Sequence, residues 1–107
     1  MTRENRREAS RLRSRLRPGK LLSPTGRYLA DCAIIDRSKA GARVRLFEAA
    51  ELSPAMTLFD ESETVQWDVR MIWSAEGQAG LRFTSDAQAV GPADAERIAG
   101  RYYALND

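Results

Sequence analysis

The clearest pattern in the chain runs from Thr64 to Ser74. Val65, Trp67, Val69, Met71 and Trp73 alternate there with Gln66, Asp68, Arg70 and Ser74. Alternation at period two is the mark of a half-buried strand, so all five apolar residues, Trp73 included, are expected on the core face. Ala75-Glu76-Gly77 reads as a tight turn, and Gln78–Thr84 returns with Ala79, Leu81 and Phe83 on one face. Ala42–Phe47 alternates as well. Ala42, Val44 and Leu46 point inward, and Arg43 and Arg45 fall on the outer surface. Upstream, Gly19–Leu22 and Arg27–Ile35 read as strands joined by the hairpin turn Ser23-Pro24-Thr25-Gly26. Glu48–Pro54 reads as a loop, Met56–Phe59 as a strand and Asp60-Glu61-Ser62-Glu63 as a hairpin tip. Strands at short spacing joined by hairpin turns favour a closed or nearly closed antiparallel β-barrel, because closure removes exposed edges.

The period changes near the end. Pro92 follows Gly91 where a first helical residue loses nothing by lacking an N–H. Asp94 and Glu96 suit the start of a helix, where the dipole favours negative charge. Ala95, Ile98, Ala99, Tyr102 and Leu105 then form one apolar stripe, which predicts a helix over about 92–106. The stripe can pack on the barrel or serve as a dimer seam. It is short for a coiled coil, which favours packing. The fold class is thus all-β with a C-terminal helix, and the state a monomer or dimer.

Charge divides the chain in two. Residues 1–20 hold eight Lys/Arg against two Glu, a balance of +6, whereas the remainder carries a balance of −4. A basic N-terminal arm, 1–17, therefore precedes a mildly acidic body, 18–107. The arm offers only Leu12 and Leu16 as larger apolar side chains and repels itself, so it is expected to be flexible until a partner neutralises it. A nucleic acid or a smaller phosphorylated ligand would suit it. The single cysteine, Cys32, excludes an internal disulfide framework, and the lack of histidine argues against zinc, haem and the commonest general base. No apolar run reaches membrane-span length and no signal-peptide core follows the charged start, so the expected location is the cytoplasm, without a membrane partner.

Between two strands lies Asp36-Arg37-Ser38-Lys39-Ala40-Gly41. Asp and Ser bond nearby backbone N–H groups, and Gly allows positive φ or a close backbone approach, so the stretch reads first as a turn. A carboxylate, a hydroxyl and the guanidiniums of Arg43 and the arm can also converge there, which is equipment for reading guanine edges and neutralising phosphate.

These residues resemble a known family. Arg7-Glu8-Ala9-Ser10-Arg11 followed by Asp36-Arg37-Ser38-Lys39-Ala40-Gly41 is similar to the Arg-x-x-x-Arg and Asp/Asn-x-Ser-x-x-Gly signature of PilZ domains. Asp31–Asp36, Gly41–Leu46, Val69–Trp73 and Gly80–Phe83 also resemble segments of that family, so the likeness runs from about Arg6 to Phe83. Several arginine pairs in the arm share the four-residue spacing. Arg7/Arg11 is chosen for the preceding doublet Arg6-Arg7 and for its distance to Asp36. The resemblance implies a six-stranded barrel that binds cyclic diguanosine monophosphate (c-di-GMP), a bacterial second messenger, through Arg7, Arg11, Asp36, Ser38 and Gly41. Arg6 and Arg43 join them on proximity and charge.

The residue chemistry agrees with that implication. Guanine N1–H and N2–H₂ are donors for Asp36, and O6 and N7 are acceptors for an arginine fork. Ser38 would contact the ligand or hold the turn, and Gly41 would spare the ligand a Cβ or serve the backbone. Arg13 and Arg17 carry the same charge with no assigned contact. Trp73 could stack on a base, but its alternation with Val69 and Met71 favours the core. No nucleophile–base pair is legible. The sequence thus points to a non-enzymatic c-di-GMP receptor without cofactor, which acts on a downstream protein partner. The alternatives are a small barrel that binds nucleic acid through its arm, and a nucleotide-free PilZ-like interaction module.

Overall fold

In this computed structural model, residues 17–98 are described. The alternating segments all form strands: β1 (Arg17–Leu22), β2 (Tyr28–Arg37), β3 (Gly41–Leu46), β4 (Ala55–Asp60), β5 (Val65–Ala75) and β6 (Gln78–Phe83). They pair antiparallel in the order β4-β1-β2-β3-β6-β5, and β4 pairs with β5 to close a six-stranded barrel. A two-residue strand that the pattern does not announce, β7 (Gln88–Ala89), pairs with Val65 and Gln66 of β5.

The inward set fills the barrel. Leu21, Cys32, Ile34, Val44, Leu58, Trp67, Val69, Ala79 and Leu81 form its buried core. Fully burying one such Leu or Val contributes about 1.5–3 kcal/mol, so the alternation itself carries most of the drive to close. Burial pushes the Cys32 thiol up to about 12, which leaves it a packing residue rather than a nucleophile.

Helix α1 occupies 92–98 of the described residues and opens with a hydrogen bond from Ala95 N to Gly91 O at 2.9 Å. Its Ile98 packs with Leu22 and Phe59 on the outside of β1 and β4, against which Ala95 also rests. The stripe therefore covers the barrel as far as it is described, whereas Ala99, Tyr102 and Leu105 lie outside the described residues. No helix among the described residues is long and apolar enough to cross a membrane.

Beside this cluster, Lys20 is 5% exposed. It reaches Asp31 and Glu61, each at 2.7 Å. Burial pulls its pKa down, but the hydrogen bonds to Asp31 and Glu61 outweigh that and hold it above the ordinary value.

Candidate functional site

Two β-bulges decide which side chains meet on the outer wall. On β2 the pairing with β3 shifts between Ile34 and Asp36: Ile34 faces Val44, Asp36 faces Arg43, and Ile35 is the extra residue. An inserted residue reverses the side-chain alternation beyond it. Without the bulge Asp36 would share the inward face of Ile34. With it, Asp36 stands outside and accepts a 2.8 Å hydrogen bond from Arg43 Nη2. Asp36 is therefore a strand residue next to the turn rather than part of the turn, and it contacts Arg43 directly.

On β5 the pairing with β6 shifts between Met71 and Trp73, and Ile72 is the extra residue. The expectation that Trp73 shares the core face of Val69 and Met71 is therefore wrong. Trp73 turns outward and is 43% exposed. Its indole lies over Gly80, where any Cβ would overlap the ring. The two bulges together align Asp36, Arg43, Gly80 and Trp73 in one cross-strand row over β2, β3, β6 and β5. In the closed ring of six strands β2 and β5 lie three steps apart, and the Trp73 indole reaches back over β6, where Gly80 pairs with Arg43. The row pairs the Asp36 carboxylate with the Arg43 guanidinium and puts the Trp73 indole over the next residue in line, Gly80.

Ser38 and Gly41 serve the chain itself. Ser38 Oγ accepts from Ala40 N at 3.1 Å and from Gly41 N at 3.4 Å, and Ser38 N donates to Gly41 O at 2.8 Å. Gly41 is not at positive φ. A Cβ there would overlap the Leu81 carbonyl oxygen, so the glycine is needed for the approach of β3 to β6. Of the two roles open to each residue in the sequence, holding the backbone is the one the geometry exhibits.

Around this turn is an open depression of about 430 Å³ lined by Asp36, Arg37, Ser38, Gly41, Arg43 and Arg82. Arg37, which the sequence reading passed over, sits between it and a second depression at the barrel end, where Trp67 and Phe83 stack with centroids 4.6 Å apart. The Arg37 guanidinium lies 5.1 Å from the Trp67 ring centroid, within cation–π range. It also donates to Asp60 Oδ2 at 3.2 Å and to both Glu63 oxygens, at 3.0 and 3.2 Å.

Arg17 reaches the same two carboxylates, Asp60 at 3.2 Å and Glu63 at 3.0 Å. Asp60 is fully buried, and its other oxygen accepts from the backbone N–H groups of Ser62 and Glu63. Its charge is thus paired and its lone pairs are used, the condition for a carboxylate to sit inside a protein. The hydrogen bond from Arg37 is the main influence that holds the Glu63 carboxyl below its ordinary range, with Arg17 adding to it. Arg17, expected to be a spectator charge, is instead tied to the barrel end. Arg6, Arg7 and Arg11 lie outside the described residues.

Arg82 is a further wall residue that sequence reasoning missed, although its alternation with Leu81 and Phe83 marks it as outward. Comparisons with protein-family models, curated proteins and solved structures gave no match. The motif residues and their geometry therefore carry the functional reading.

Proposed function

We propose that this chain is a non-enzymatic receptor for c-di-GMP. One observation carries the reading. Arg17 at the root of the basic arm and Arg37 of the Asp-x-Ser-x-x-Gly stretch share the carboxylates of Asp60 and Glu63. The arm therefore leaves the barrel at the end where Asp36, Ser38 and Gly41 lie, and Arg7 and Arg11 need only the arm's own length to reach a ligand there.

Asp36 accepts from guanine N1–H and N2–H₂, and an arginine fork engages O6 and N7. Arg43 is the fork nearest to Asp36. Its pair with Asp36 is exposed and is worth about 0–1 kcal/mol, so exchanging it for ligand contacts costs little. Trp73 supplies a stacking surface in the same row, the use for an exposed tryptophan beside arginines. Ser38 and Gly41 act by shaping the turn. Closure of the arm over the ligand changes the surface offered to a downstream partner.

The arm is tested by substitution. Arg7→Ala and Arg11→Ala should each weaken c-di-GMP binding by about 1–3 kcal/mol, and Arg13→Ala should leave it nearly unchanged. Equal losses at all three would reduce the arm to a diffuse charge. A second reading, nucleic-acid binding, draws on the exposed Arg43, Arg45, Arg70 and Arg82. It predicts affinity that rises with strand length and falls steeply with salt.

A further inference from the structure

Beside the row of Asp36 and Trp73 runs a second outward row, Gly41, Arg82, Arg70 and Ala55, over β3, β6, β5 and β4. Arg70 and Arg82 are direct partners across the β5–β6 ladder and both are exposed. Side chains so placed have Cβ atoms about 4.5–5.5 Å apart, and like charges directly opposite repel. Their flanking residues are Gly41 and Ala55, which bring no carboxylate and no bulk. Asp68, the acidic residue nearest along β5, bonds through its backbone to Ser85 and Thr84 and forms no ion pair with either arginine among the described residues. Neither guanidinium has a hydrogen-bond partner among those residues. Arg82 also lines the depression that holds Asp36, Ser38 and Gly41.

Like charges at directly opposite positions repel, and an anion that bridges the two guanidiniums turns that repulsion into attraction. A tetrahedral phosphate matches the arginine fork and can accept from both. From this geometry we infer that Arg70 and Arg82 form a phosphate clamp on β5 and β6, which takes a phosphodiester of the nucleotide whose base lies in the Asp36–Trp73 row. The clamp rests on the nucleotide reading and adds to it the site of the phosphate.

The test compares the full-length protein with Arg70→Gln, Arg82→Gln, the double variant and Arg45→Gln. Arg45 is another exposed arginine on the outer wall, opposite Gln78 and away from the clamp. Calorimetric titration with c-di-GMP should give about tenfold weaker binding for each clamp variant, the scale of a charge-assisted hydrogen bond. Arg45→Gln should bind like the wild type. Without nucleotide, the clamp variants should melt no lower than the wild type, because each relieves a like-charge pair. A merely structural role predicts lower melting instead. If the wild type binds and the double variant binds equally well, the clamp is overturned and the nucleotide reading stands. If all four variants lose affinity alike, Arg45→Gln included, the wall is a diffuse positive field and the clamp is again overturned. If the wild type does not bind, both fall.

Discussion

Asp36→Ala separates ligand reading from charge attraction because the two predict opposite signs. Asp36 is 66% exposed at its side chain and, among the described residues, pairs with Arg43, itself 46% exposed. The turn that follows is held by Ser38, not by Asp36. Removing the carboxylate therefore costs the fold about 0–1 kcal/mol. For a domain of this size that is a fall in melting temperature of at most roughly 4–8 °C. Binding should suffer more. In the proposed complex the carboxylate accepts hydrogen bonds from two guanine donors, and losing a bond to a charged group costs about 1.5–3 kcal/mol. That is roughly a ten- to hundred-fold weaker Kd, although the variant is one unit more positive. Calorimetry with c-di-GMP reads the affinity, and thermal melting without nucleotide reads the fold. A variant that melts like the wild type but binds tighter would refute base recognition by Asp36 and leave only attraction to phosphate.

Two further predictions concern contacts that hold the chain. Gly41→Ala would drive a Cβ into the Leu81 carbonyl oxygen, a rigid backbone atom. Overpacking of this kind costs about 1–3 kcal/mol, so melting should fall even without nucleotide, and an unchanged melting temperature would contradict a structural role. Glu63→Gln tests the barrel-end network through its pH dependence. The folded pKa of Glu63 is depressed below the ordinary 4.5 by hydrogen bonds from Arg37 and Arg17. Its contribution is therefore present above 4.5 and is lost as pH falls through the lower folded value. Urea midpoints should favour the wild type modestly at neutral pH and converge with the variant in strong acid. A gap that persisted when Glu63 is protonated would contradict the ionic role.

The barrel was legible because its inward residues obey one simple rule. Val44 lies between Arg43 and Arg45, Val69 between Asp68 and Arg70, and Leu81 between Gly80 and Arg82, whereas β4 is buried on both faces from Met56 to Asp60. Strand ends moved by a residue or two. Asp36 and Arg37, expected in the turn, belong to β2. Trp73 misled because Met71-Ile72-Trp73 is an unbroken apolar run, in which the pattern does not mark where the register shifts. The strand β7 has two residues, too few for any period to register. Among the site residues, Asp36 and Arg43 were placed together by a spacing that spans one turn. Arg37 was missed because its partners Asp60 and Glu63 lie 23 and 26 residues away. Such a pairing follows from the strand order β4-β1-β2, which sets the end of β2 one strand away from the end of β4, and not from any local pattern. Arg70 and Arg82 were visible as outward residues, but only the β5–β6 register makes them opposite partners.

The central claim is that this barrel recognises guanine, not charge alone. Its most direct test is calorimetric titration of the full-length protein with c-di-GMP, its diadenosine analogue and GTP under the same salt conditions. Adenine reverses the donor–acceptor pattern at its six position, so the diadenosine analogue should bind more weakly by about 1–3 kcal/mol for each misread base. GTP, with one base and a greater charge, should also fall well below c-di-GMP. Saturable binding of c-di-GMP with this order of affinities is the predicted result. Equal heats from the two cyclic dinucleotides, or tightest binding by GTP, would contradict the claim.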